Sequence, residues 1–360
     1  MAVASVRALV EAGDQVDVVL PSDGPLVPLL TEAGARVLVL PLPVLRKAML
    51  RPLKLLQLAA TMPRTIVRSM RVLRRLETDV VYVNTITQPW WLLAAALAKK
   101  PRLVHVREAE SEQPAIVRRV LLAPLALATR VVCNSKATER YVLDDASGVT
   151  GKTSVLYNGK DWAPYEAPAF EGFAEPVRLL LVGRISPRKG TDTAIEAVHL
   201  LRQRGIDTKL TLIGDVFDGY EWYRDELGAQ IAKHGLEDAV VFAGFDPEPA
   251  ERFGEADLVL VPSRLEPFGT VAAEGMAAGR CTIVARTQGL VEIVDSAEVG
   301  LTFEAENAGE LAEACAQLIA DPDRAVSMAA AGRARVLERF STEQYAAGTR
   351  SIVAELEKSV

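Results

Sequence analysis

Ten short apolar runs alternate with helix-length stretches along this chain, and that alternation restricts its fold more than any other feature. Val16–Leu20, Arg36–Leu40, Val80–Asn84, Leu103–Val106 and Arg130–Asn134 make a first series of strand candidates. Val177–Val182, Lys209–Ile213, Ala239–Ala243, Asp257–Val261 and Cys281–Ala285 make a second. Helical patterns such as Asp192–Arg204, Trp222–His234 and Thr270–Ala278 lie between them. Strands that are apolar on both faces need covering on both faces, which parallel sheets sandwiched by helices provide. A segment rich in Pro, Ala and Glu, Trp162 to Pro176, separates the two series. A chain of 360 residues is long enough for two such cores. Ligands of such sheets bind past the carboxyl ends of the strands, so a cleft between two domains is the expected site. From Ala308 onward the pattern is helical, through Leu311–Ala320, Asp323–Arg339 and Thr342–Lys358.

Composition excludes several classes. Hydrophobic content of 49% with 24% charged residues is that of an ordinary soluble chain. The apolar run Trp90–Ala98 is far shorter than the ~20 residues that span a bilayer. Met1-Ala2-Val3 leads directly into a helical pattern without the basic head and apolar core of a signal peptide, so a cytoplasmic location is expected. Cys133, Cys281 and Cys315 are odd in number and widely spaced, which suits buried free thiols.

The net charge of −6 is unevenly divided. Met1–Tyr165 carries 22 Lys and Arg against 14 Asp and Glu, and the remainder carries 19 against 33. Arg46, Lys47, Arg51, Lys54, Arg64, Arg68, Arg71, Arg74 and Arg75 occur without one acid among them. Arg64, Arg68, Arg71 and Arg75 keep helical spacing, as do apolar Met49, Leu53 and Leu56. Such a stretch fits the inner face of an anionic plasma membrane peripherally, and equally a solvated helix face. Nucleic acid is not an expected partner of a chain with this acidic balance and no binding module.

Two motifs carry chemistry. In the first, the apolar strand Asp257–Val261 runs into Pro262-Ser263-Arg264-Leu265-Glu266-Pro267-Phe268-Gly269-Thr270 and on to Glu274-Gly275-Met276-Ala277-Ala278-Gly279. Glu266 would sit in the crevice beyond the strand, and Glu274 about one turn (~5.4 Å) into the following helix. The first N–H groups of that helix, at Gly269 and Thr270, would offer an anion site assisted by the helix dipole. In the second motif a strand ends at Gly183 and Arg184, Arg188 and Lys189 follow in a short loop. No Gly-Lys-Ser/Thr follows, so this is not a Walker loop, and no G-x-G-x-x-G follows any strand, which argues against a nicotinamide dehydrogenase.

These motifs closely resemble the Glu-x7-Glu signature and the basic loop of retaining glycosyltransferases of family 4 (glycosyl transferases group 1). The resemblance implies the GT-B fold, an α/β architecture of two Rossmann-like domains facing across a cleft. It implies domains near residues 1–165 (acceptor) and 166–340 (nucleotide sugar), with 341–360 crossing back onto the first. It implies that Arg184 and Lys189 grip the donor diphosphate, Glu266 meets the sugar hydroxyls and Glu274 accepts from the ribose. Gly183, Phe268, Gly269 and Thr270 would line the donor. The implied reaction transfers a sugar from a UDP- or GDP-type donor to a hydroxyl acceptor, lipid-linked or in a cell-surface glycan, with no metal and no cofactor. The family has one more strand and a glycine-rich loop before the first helix, and both are missing here, so an N-terminal domain lacking its first strand is expected. Gln288-Gly289-Leu290-Val291-Glu292 resembles the family's Gly-Gly-x-x-Glu turn, with Gln288 at the first glycine. Asn158-Gly159 resembles its Asn-Gly turn.

In the first domain, strand alternation puts His105 and Arg107 on one side and Glu108 on the other. The resemblance suggests that this strand end meets the donor sugar or acceptor, with Arg107 rather than His105 in the family's histidine place, whereas His105 by itself reads as a core or surface histidine. Donor selectivity is expected in loops near Phe242–Phe245 and Arg264. Asp321-Pro322-Asp323 reads as a helix cap, and no Cys/His pairing has ligand spacing, so no metal site is expected. Two other readings of the same residues stay open: a sugar-nucleotide epimerase or hydrolase, and a non-catalytic nucleotide-sugar-binding protein.

Overall fold

A computed structural model describes residues 1–45 and 52–358. Arg46, Lys47, Met49 and Arg51 lie outside the described residues, as do the side chains of Leu53, Lys54 and Leu56. The chain forms two compact units, Met1–Gly159 with Thr342–Val360, and Lys160–Ser341.

The first unit runs α1 (Ala2–Glu11), β1 (Asp17–Leu20), α2 (Leu26–Glu32), β2 (Arg36–Val39), α3 (Pro52–Arg75), β3 (Val81–Val83), α4 (Pro89–Leu97), β4 (Arg102–Val106), α5 (Ala115–Leu122), β5 (Arg130–Cys133), α6 (Lys136–Asp145) and β6 (Thr153–Val155). Its strands pair only in parallel, but they form two sheets, β1-β2 and β3-β4-β5-β6. Among the described residues, one edge of β1 and one edge of β3 have no strand partner. Residues of both strands line a cavity of about 870 Å³ with Val6, Leu9 and Leu30. Apolar side chains of core type thus line the cavity beside both sheets.

The second unit runs β7 (Val177–Val182), α7 (Thr191–Gln203), β8 (Thr208–Ile213), α8 (Glu221–His234), β9 (Val240–Gly244), α9 (Ala250–Glu255), β10 (Leu258–Val261), α10 (Thr270–Ala277), β11 (Cys281–Ala285), α11 (Leu290–Ile293), β12 (Leu301–Phe303), α12 (Ala308–Ala320) and α13 (Pro322–Arg339). Its one parallel sheet has the order β12-β11-β10-β7-β8-β9. From β7 the chain moves outward through β8 to β9, then returns to β10 and moves the other way. The order reverses between β7 and β10, and a crevice opens at such a switch point past the strand ends. Four-residue β10 is wholly buried, as its unbroken apolar sequence requires. Small residues let α10 lie close to it: a Cβ on Gly275 would come within 2.9 Å of Val259 and Thr282. Buried Asp257 ties the starts of β10 and β7 together by accepting from the Arg178 backbone N at 2.7 Å and its Nη2 at 2.5 Å.

The last helix, α14 (Thr342–Glu357), belongs to the first unit and packs on α1. The hydroxyls of Ser5 and Tyr345 are 2.6 Å apart, and Leu9, Val353 and Leu356 share an apolar cluster with Leu103 and Val132. β6 and β12 escape sequence reading because Thr153–Val155 and Leu301–Phe303 lack the run of β-branched and aromatic residues that marks the equally short β3. The three cysteines are free and buried, and burial pushes each thiol up to about 12, so they are inert packing groups. No helix among the described residues is long and apolar enough to cross a membrane.

Candidate functional site

The two motif loops leave the carboxyl ends of β7 and β10, the two strands at the switch point. Gly183 adopts φ +149°, and a short turn, Pro187–Lys189, leads to Gly190 at φ +67°. A Cβ on Gly190 would lie 2.0 Å from the Pro262 carbonyl oxygen, so the first loop rests directly on the second. Arg264 N donates to Arg188 O at 2.8 Å and fastens the two backbones. The result brings Lys189 Nζ to 2.6 Å from Glu266 Oε2, with side chains only 16% and 15% exposed. Residues 77 positions apart thus form a charge-assisted hydrogen bond over the switch point.

Gly269, at φ +106°, caps α10 without any side-chain acceptor, so the tip N–H groups of the helix keep their donor capacity. Thr270 is exposed beside it. Phe268 is different. Its ring is buried against Phe340 at 5.7 Å, so it anchors the loop, and only its backbone can face a ligand. Glu274 is 7% exposed and its Oε1 accepts from Lys160 Nζ and from the Tyr165 hydroxyl, the latter at 2.9 Å. The 286–289 turn supports Glu266 from below: Gly289 N donates to Glu266 O at 3.0 Å, and a Cβ there would lie 2.4 Å from Pro267 O. Gln288, in the glycine place, takes φ +37°, a conformation that glycine adopts more readily.

Two arginines singled out from the sequence are engaged by other groups in this structure. The Arg264 guanidinium donates to Asp192 Oδ2 at 2.7 Å and to Pro187 O, and pairs with Glu306 at 3.1 Å. It is a staple between loops. Arg184 is exposed and lies 4.3 Å from the centre of the Phe217 ring, and no described contact joins it to Glu266 or α10. Lys160, Tyr165 and Phe217 were invisible as site residues: the first two lie more than a hundred positions before Glu274, and no local spacing links them to it.

In the first unit, Arg107 donates from Nε to Asn84 Oδ1 at 3.0 Å, from Nη1 to Asn158 Oδ1 at 2.5 Å and from Nη2 to the Tyr345 hydroxyl at 2.8 Å. Its Nη2 is also 3.1 Å from His105 Nδ1, so the two side chains share one side of the strand as alternation requires. Burial, then the Arg107 charge, hold the imidazole well below its usual range, and it is neutral. Arginine only donates, so Nδ1 accepts and the proton sits on Nε2, which is buried with no partner among the described residues. His105 is a core group. Because its folded pKa is depressed, the stability it allows is fully present above the unfolded value of about 6.5 and lost as pH falls below it. Thermal melts from pH 7.5 to 5 are expected to show that decline, at up to about 1.4 kcal/mol per pH unit, with a shallower slope in His105→Gln. An unchanged slope would remove His105 from the explanation.

A parallel α/β chain of two units, with motif loops at a switch point, defines a protein of the GT-B class. Comparison with solved structures agrees: Anabaena HepE in complex with UDP-glucose superposes with a TM-score of 0.81 at 25% identity, covering 98% of this chain and 96% of that one. Two family descriptions match in succession, Glycosyltransferase Family 4 over residues 2–162 and Glycosyl transferases group 1 over residues 167–335. The chain belongs to this glycosyltransferase family. It is similar to glycogen synthase of Mycobacterium tuberculosis, 32% identical over 201 residues, which are 55% of this chain and 47% of that protein. It is also similar to the lipopolysaccharide core biosynthesis mannosyltransferase LpsB of Rhizobium meliloti, 25% identical over 282 residues, 71% of this chain and 80% of that one. The chain spans about half the length of the first of these relatives.

Proposed function

We propose that the protein transfers a sugar from a nucleoside diphosphate donor to a hydroxyl acceptor, with retention at the anomeric carbon and without a metal. The observation that carries this reading is the Lys189–Glu266 contact, which concentrates a cation and a carboxylate at the switch point beside an uncapped helix tip. On donor binding, the Lys189 ammonium turns from Glu266 to the diphosphate, joined by Arg184 and the N–H groups at Thr270. Glu266 is released to the sugar hydroxyls, and Glu274 accepts from the ribose. The bond between the anomeric carbon and the phosphate oxygen breaks while the acceptor oxygen attacks the same face. The acceptor's proton passes to the leaving phosphate oxygen. The charge growing on that diphosphate is what Lys189, Arg184 and the helix dipole stabilise. The UDP-glucose bound by HepE favours a UDP-type donor here too, with GDP as the alternative base.

Incubation with UDP-, GDP-, ADP- and TDP-sugars tests the reaction. Nucleoside diphosphate release that depends on an added hydroxyl acceptor, with product of the donor's anomeric configuration, is the expected result. Release without acceptor, or an epimerised sugar, would favour the epimerase or hydrolase reading. Binding without turnover under every acceptor would favour a non-catalytic role.

A peripheral membrane contact near the acceptor is a second part of the reading, supported by α3. Arg64, Arg68, Arg71, Arg74 and Arg75 are all exposed on it, with Val67 at 46% and Met62 at 36%, while Thr65, Ser69 and Leu73 are buried. A cationic face interleaved with exposed apolar groups fits an anionic leaflet. Substituting Arg64, Arg68, Arg71 and Arg75 by Gln is expected to weaken partitioning onto phosphatidylglycerol vesicles about tenfold or more. Equal partitioning of the two forms would make the face an ordinary solvated one.

A further inference from the structure

Glu274 is a carboxylate in an almost dry position, and such a group needs donors fixed around it. Two are supplied from outside its own helix. Lys160 stands at the start of the second unit, where its backbone N donates to Phe340 O at 3.0 Å and its backbone pairs in parallel with Ser341. From that fixed backbone its side chain reaches across to Glu274 Oε1. Tyr165 lies five residues on, buried between Trp162 at 5.8 Å and Phe253 at 5.6 Å, and its hydroxyl donates to the same oxygen at 2.9 Å. The ammonium also lies 4.5 Å from the centre of the Tyr165 ring, so the two donors hold each other in place. Both act on Oε1. Among the described residues nothing donates to Oε2.

We propose that Lys160 and Tyr165 are positioning residues that clamp Glu274 by one oxygen and aim the other at the vicinal hydroxyls of a nucleotide ribose. This rests on the donor reading of Glu274 given above. An unclamped glutamate has several rotamers and would hydrogen-bond a diol only after losing that freedom. A carboxylate already fixed by two donors meets the ribose without it. The clamp therefore contributes to donor affinity and to discrimination between ribose and its deoxy forms, and touches no reacting atom.

The test compares binding of UDP and GDP with binding of their 2′,3′-dideoxy forms in the full chain and in Lys160→Met, Lys160→Arg, Tyr165→Phe and Glu274→Ala. Lys160→Met is expected to weaken nucleoside diphosphate binding about tenfold and to cut the preference for the ribose form by a similar factor. The loss is expected in the donor KM rather than kcat, with Lys160→Arg recovering most of it and Tyr165→Phe showing a smaller loss. Melting temperatures of the four variants separate misfolding from mispositioning, because Lys160→Arg keeps the cation and the fold. If Glu274→Ala loses ribose preference while Lys160→Met keeps it, the clamp is wrong and the donor site stands. If Glu274→Ala binds both forms as the unaltered chain does, the ribose role of Glu274 fails and the clamp fails with it.

Discussion

Lys189→Ala is expected to lower kcat for sugar transfer by about 10²–10³-fold, the usual loss when one preplaced donor to a developing oxyanion is removed. The ammonium is 16% exposed and stands 2.6 Å from Glu266, so it operates in a partly desolvated place where its charge is weakly screened. The diphosphate becomes more negative as the glycosidic bond lengthens, so the interaction strengthens between ground state and transition state. The loss should therefore fall more on kcat than on KM. Lys189→Arg is expected to recover only part of it, because a planar fork does not place its charge where the compact ammonium does. Steady-state release of nucleoside diphosphate measures this. A kcat within fivefold of the unaltered chain would mean that the leaving group is stabilised elsewhere.

The second large effect is on stability. Gly190→Ala would place a Cβ 2.0 Å from the Pro262 oxygen at a φ of +67°, so the loop carrying Lys189 must lift away from the loop carrying Glu266. Backbone strain of about 1–3 kcal/mol and overpacking of about 1–3 kcal/mol add at this position. Gly205→Ala is the matched control, since Gly205 has φ +79° but nothing within 4 Å of an added Cβ. Thermal melts are expected to show several times the loss at Gly190 that they show at Gly205, together with weakened nucleotide binding only at Gly190. Similar shifts for the two substitutions would deny that the two loops are locked together.

Much of the second unit was legible because its strands are buried on both faces, and Val177–Val182 and Cys281–Ala285 have the bounds read from sequence. The switch point was not legible, since strand order depends on pairing across the sheet rather than on any local pattern. Glu266 and Lys189 stood out by their motifs, but their mutual contact appears only after the loops are stacked on Gly190 and Pro262. Lys160 and Tyr165 gave no signal because the clamp on Glu274 is assembled by residues whose local sequence reads as a turn and a linker. The staple made by Arg264 was equally hidden, because its partners Asp192 and Glu306 lie far from it in sequence.

Calorimetric titration with UDP and GDP, of the unaltered chain beside Lys189→Ala and Glu274→Ala, tests the donor site most directly. One of the two nucleotides is expected to bind the unaltered chain and to lose about tenfold or more in affinity in each variant. Failure of both nucleotides to bind, or equal affinity in all three proteins, would contradict a diphosphate and ribose held between the 183–190 loop and the tip of α10.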